Sequence, residues 1–167
     1  MKMRGIAVLA ASAALAIGLV AGAGAAGPSV LTGGNLVYAG IDPSDGMSDI
    51  FVQPAGGSTA TNITHDTGSR KDLSPAFSPS GTKITFVRAN SAGASIMVVN
   101  PNGSGLMNVT PTQFRGAVNT DPSWSGNGSR IVFASNVDGN YDLYWIDVAT
   151  TSARASPDHD RSPGAEP

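Results

Sequence analysis

Residues 74–86, SPAFSPSGTKITF, are rewritten 47 positions later as DPSWSGNGSRIVF, residues 121–133. Phe77 returns as Trp124 and Phe86 as Phe133, and Tyr38 precedes Phe86 by 48. The triplet Asp49-Ile50-Phe51 recurs as Ser95-Ile96-Met97 and again as Asp142-Leu143-Tyr144. Asn62-Ile63-Thr64 recurs as Asn108-Val109-Thr110. Independent landmarks holding one spacing mean that the chain is a stack of equivalent units, each burying its apolar surface against its neighbours. No other feature restricts the fold so far.

Within a unit the pattern has period two. In TKITFV, Ile84 and Phe86 lie on one face and Lys83 and Thr85 on the other, as a half-buried strand requires. RIVFAS repeats this with Ile131 and Phe133, and DIFVQP, SIMVVN and DLYWID are short branched and aromatic runs closed by turn formers. Ser78 to Gly81 suits a type I turn, and Ser125 to Gly128 makes the matching corner. Asn102-Gly103 and Asp138-Gly139 are hairpin signals. No stretch beyond the N-terminal apolar segment shows sustained helical periodicity. About four strands per unit and a long period point to propeller blades rather than a helical solenoid.

The same residues resemble the WD40-like propeller repeat of the TolB family, Pro-x-Trp-Ser-Pro-Asp-Gly followed by Ile-x-Phe. Pro75, Phe77, Ser78, Pro79 and Gly81 match it in one unit; Pro122, Trp124, Ser125 and Gly128 match it in the next. Ser80 stands where the family has Asp, and Gly126-Asn127 replace Pro-Asp. The expected fold is all-β: a partial β-propeller of about three four-stranded antiparallel blades, preceded by a signal-peptide helix. The boundaries read as a signal peptide over 1–26 and a linker over 27–34. Blades follow at 35–64, 75–110 and 122–153, with 154–167 either a disordered tail or the start of a truncated next blade. The first blade is expected to lack its first strand, and a fourth strand for the third is doubtful.

Propellers close with about 4–8 blades, so three leave two outer faces bare. Ile50, Val52, Tyr144 and Ile146 are the expected occupants of those faces. Marginal stability, or self-association through the open blade edges, is the expected consequence.

Lys2 and Arg4 precede an apolar run from Ile6 to Val20, then small residues that offer Ala21-Gly22-Ala23 and Ala23-Gly24-Ala25 as cleavage sites. A cleaved export signal fits best, with an uncleaved anchor as the alternative. The expected location is therefore periplasmic or extracellular, with membrane contact only through that segment. Without residues 1–26 the chain holds eight basic residues against twelve acidic ones, which argues against nucleic acid as a partner. The absence of cysteine excludes a disulfide framework and thiolate chemistry.

No catalytic or metal constellation is assigned. The chain has no G-x-S-x-G elbow, and His65-Asp66 and His159 read as loop and tail residues. Asp138, Asn140 and Asp142 begin like a calcium loop but lack its later ligands, so a hairpin turn accounts for them. The Asn-x-Ser/Thr sequons at Asn62, Asn102, Asn108 and Asn127 read as turn chemistry. Tyr144 and Trp145 fall on opposite strand faces, which leaves one of them for the surface. The resemblance implies a non-catalytic module without cofactors that binds a protein or peptide in the envelope or outside the cell. Its partner-facing loops would hold Asp72, Leu73, Ser74, Asn119, Thr120 and Asp121. The alternative is a fragment of a propeller-containing hydrolase or lyase lacking its catalytic part.

Overall fold

The computed structural model describes residues 29–30, 34–65, 68–150 and 152–155. The expected export signal, Asp66, His159 and the tail from 156 onward lie outside the described residues. Among the described residues, twelve strands form three four-stranded antiparallel sheets, each a meander in chain order. The first blade is β1 (Ser29–Val30), β2 (Leu36–Ile41), β3 (Ser48–Gln53) and β4 (Thr61–Asn62). The second is β5 (Lys71–Phe77), β6 (Ile84–Asn90), β7 (Gly93–Val99) and β8 (Met107–Asn108). The third is β9 (Asn119–Trp124), β10 (Arg130–Ser135), β11 (Asp142–Asp147) and β12 (Ser152–Ala155).

Two short strands go beyond the sequence reading. β1 falls where a linker was expected and pairs with β2, Ser29 opposite Val37. β12 gives the third blade its fourth strand, Ser152 to Ala155 opposite Asp147 to Tyr144. Neither run is long enough or rich enough in branched and aromatic residues to stand out as a strand, so pairing with a longer neighbour decides both. Among the described residues the one helical element is a 3-10 turn at Thr112–Phe114.

The repeated motifs fold alike because they make the same bonds. Ser78 N–H donates to Lys83 O (2.8 Å) and Gly81 N–H to Ser78 O (2.8 Å), while Lys83 N–H reaches Ser78 Oγ (3.1 Å). The corresponding distances in the Ser125–Arg130 turn are 2.9, 2.8 and 3.0 Å. Gly81 and Gly128 hold φ of 72° and 71°, the left-handed region that explains glycine at both corners. The Asn-x-Thr motif is a clamp. Asn62 Oδ1 accepts Thr64 N–H (3.1 Å) and Thr64 Oγ1 accepts Ile50 N–H (2.9 Å). Asn108 and Thr110 do the same, with Thr110 Oγ1 2.7 Å from Ile96 N. Threonine thereby satisfies a buried strand amide where the short fourth strand runs out.

The core is two layers between blades. Val37, Ile50, Val52 and Ile63 meet Phe77, Ile84, Phe86, Met97 and Val99 between the first and second blades. Val87, Ile96, Val98 and Val109 meet Ile131, Phe133, Tyr144 and Ile146 between the second and third. Phe114, on the 3-10 turn, plugs this second layer, its ring edge-on to Phe133 (5.2 Å) and Tyr144 (4.8 Å).

This corrects the expected bare faces. Ile50, Val52, Tyr144 and Ile146 are buried between blades. The outward faces carry Tyr38 and Phe51, stacked at 5.6 Å, on the first blade, and Val132, Leu143 and Trp145 on the third. Period two fixes which residues share a face but not which face points inward, and a wrong choice inverts every assignment on the strand.

Candidate functional site

The first strand of each unit is innermost in the stack. β5 packs on β9, and Trp124 Nε1–H donates to Ala76 O across that approach (3.1 Å). Phe77, the counterpart of Trp124, is buried in the first interblade layer, so both aromatic landmarks pack between blades as expected. β5 and β9 each carry a register shift against the neighbouring strand, between Leu73 and Ala76 in one unit and opposite Val132 to Ala134 in the other. The extra residue is taken up by Ser74 (φ 49°) and Asp121 (φ 52°), equivalent positions and the two non-glycine residues with positive φ among those described. Such bulges re-aim side chains near functional surfaces and cost conformational energy that the surrounding sheet must absorb.

Asp72, Leu73, Ser74, Asn119, Thr120 and Asp121 therefore lie within strands, not in loops as the sequence reading had them. Asp72 and Asn119 are buried and act as fasteners. Asp72 accepts Arg88 Nε–H (2.8 Å) and Nη2–H (2.6 Å), and its carbonyl accepts Ser48 Oγ–H from the first blade (2.9 Å). Asn119 Nδ2–H bridges to Ala94 O (2.6 Å) and Phe114 O (3.1 Å). The same position thus stitches β5 and β9 to the third strand of the preceding blade. Leu73 and Asp121 are exposed, and Ser74 and Thr120 are half-buried.

At this end of the stack the first blade concentrates acid. Asp42, Asp49 and His65 bring their ligand atoms within 4.8 Å of one another, a spacing a divalent cation could use. Asn62 takes that role instead. Its Oδ1 is fixed by Thr64 N–H, so its Nδ2 must point at the carboxylates, donating to Asp42 Oδ2 and Asp49 Oδ2 at 2.7 Å each. His65 Nδ1 lies 3.2 Å from Asp42 Oδ2 and closes the clasp. The backbone amide of Ser44 and the other donors around Asp42 lower its pKa to about 2, whereas burial, with Asp45, Asp72 and Asp42 nearby, raises that of Asp49. Asp138, at the tip between β10 and β11, accepts Tyr144 O–H (2.8 Å) in an ordinary hairpin. Burial, then this bond, pushes the Tyr144 phenol up to about 12. Trp145, on the outward face, lies beneath the Arg130 guanidinium, 4.0 Å from its ring centre.

Of the apolar surface at this end, the sequence reading named Leu73 alone. Ile41 (64 % exposed) ends β2, Leu73 (37 %) sits in β5, Val118 (38 %) precedes β9 and Tyr141 (60 %) caps the hairpin before β11. All four lie toward the ends that carry the β2–β3 and β10–β11 hairpins. Single apolar residues in turn-rich segments carry no periodic signal, so only the assembled fold collects them.

Sheets of four antiparallel strands, stacked through alternating apolar side chains with their first strands converging, are the blades of a β-propeller. The chain belongs to the TolB beta propeller domain family, which it matches over residues 10–167. No curated protein gave a match. Among solved structures it is similar to a candidate TolB from Agrobacterium tumefaciens (TM-score 0.64, 21 % identity), covering 77 % of this chain and 47 % of that one. It is also similar to TolB from Acinetobacter baumannii (TM-score 0.63, 18 % identity), covering 77 % and 31 %. A puromycin hydrolase shares the fold as well (TM-score 0.61, 15 % identity), with 77 % and 19 % covered. The chain thus spans less than half the length of each of these proteins.

Proposed function

We propose that this chain is an exported, non-catalytic propeller segment that binds a protein or peptide at the hairpin end of its blades. The observation that carries the reading is the set of exposed apolar side chains there, Ile41, Leu73, Val118 and Tyr141, beside the two strained first-strand bulges. Exposed apolar groups collected on one end, with an aromatic among them and polar neighbours around, are what a docking surface for another polypeptide needs. Leu73, Ser74, Thr120 and Asp121 are its accessible inner rim; Asp72 and Asn119 hold that rim in place. The apolar N-terminal run with its small-residue sites supports export, to the periplasm or beyond the cell. The second reading, a propeller unit from a hydrolase, draws on the similarity to puromycin hydrolase, which is a similarity of fold.

The test is selection of displayed peptides on the immobilised full chain. Binding of the selected peptides should fall about tenfold or more in I41D/Y141D, and should be unchanged in L106D, at the opposite end of the blades. Failure to select any peptide, or an equal loss in L106D, would refute the assignment of this end.

A further inference from the structure

The two outer faces of the stack are the two halves of a junction that the chain already makes twice. In both internal junctions the Ile-x-Phe face of one blade meets the opposite face of the blade before it. Tyr38 and Phe51, on the outer face of the first blade, stand where Phe86 and Met97 stand in the second. Those two are buried against the preceding blade. Val132, Leu143 and Trp145, on the outer face of the third, stand where Thr85, Ile96 and Val98 stand in the second. There Ile96 is 0 % exposed, whereas Leu143 is 57 % exposed; Thr85 is 0 % exposed, whereas Val132 is 39 % exposed. One face lacks a predecessor and the other a successor among the described residues.

We propose that these faces meet between two copies of the chain, the third blade of each receiving the first blade of the other, so that two three-bladed units close a six-bladed ring. A head-to-tail contact either closes a ring or propagates without end. Propellers close with about 4–8 blades, and six is the one multiple of three in that interval. The occupant is thus a second copy, related by a two-fold axis along the centre of the ring. Arg130 needs to leave Trp145 for the junction to form, and the repeat supplies its destination. Lys83, the counterpart of Arg130, bonds Asn100 Oδ1 (2.7 Å) at the blade end, and Asp147 stands at the Asn100 position, opposite Arg130 in register. The apolar rim at the hairpin end would then be present twice around one closed axis.

Sedimentation equilibrium of the full chain tests this. The expected result is twice the chain mass, falling to the chain mass in L143D and unchanged in L106D, with the β-type circular dichroism spectrum retained in both. Because L143D could unfold, a second measurement uses the lack of cysteine: chains carrying Y38C and L143C, mixed and oxidised, should form a disulfide-linked dimer that neither forms alone. A monomeric wild type, open polymers larger than a dimer, or a dimer that persists in L143D without cross-linking each overturns the proposal.

Discussion

The Asp72–Arg88 pair is a buried, two-pronged ion pair in the second blade, and its geometry indicates what its removal should cost. The guanidinium meets both carboxylate oxygens, at 2.8 and 2.6 Å, with Asp72 2 % and Arg88 9 % side-chain exposed. Hydrogen bonding to Asp72, against the opposing effect of burial, raises the Arg88 pKa, so the guanidinium keeps its charge. Arg88→Met keeps much of the aliphatic stem beside Phe86 but strands a nearly dry carboxylate. Breaking one side of such a pair costs about 3–5 kcal/mol, while replacing both sides with apolar groups of similar volume comes close to neutral. R88M should therefore lose about 3–5 kcal/mol in urea unfolding, and D72L/R88M should lie within about 1–2 kcal/mol of the wild type. A cost below about 1 kcal/mol for R88M, or a double variant whose cost equals the two single costs together, would show that the carboxylate is better solvated than its burial indicates.

Two further outcomes follow from particular bonds. Thr110→Val leaves Ile96 N–H buried without its 2.7 Å acceptor, so it should cost about 1–3 kcal/mol; Thr110→Ser should recover most of this in the same unfolding assay. The Tyr144 phenol has a folded pKa of about 12 against an ordinary 10.0, so the folded state holds its proton longer than the unfolded chain. The associated stability is present in full below pH 10 and is lost as the pH rises from 10 to 12, by about 3 kcal/mol. In Tyr144→Phe that alkaline slope should flatten, and an unchanged slope would assign it to other groups.

Much of this architecture was legible in the sequence because the unit is written more than once. The Ser78 and Ser125 turns, the Asn-x-Thr clamps and the strand pairs each recur with the same bonds, so a pattern uncertain in one copy is fixed by the other. The direction of burial was not legible. Ile50 and Phe51 are adjacent and both apolar, and only the following blade decides that Ile50 goes inside. The bulges at Ser74 and Asp121 were hidden because a register shift leaves no residue type behind. The functional residues read by resemblance divided accordingly. Asp72 and Asn119 turned out to be fasteners, whose polar character resembles that of site residues when burial is unknown, while Leu73 and Asp121 are exposed and Ser74 and Thr120 half-buried.

The clamp at Asn62 bears on how this protein can be produced. Asn102, Asn108 and Asn127 engage their turns through Oδ1, as acceptors from Ser104, Thr110 and Ser129. At Asn62 the nitrogen is engaged as well, wedged between two carboxylates. That nitrogen is the atom to which a eukaryotic secretory pathway attaches its oligosaccharide. Material made in yeast or mammalian cells would tolerate sugar at three of its four acceptor sites, while the fourth would prise the first blade's acidic corner apart.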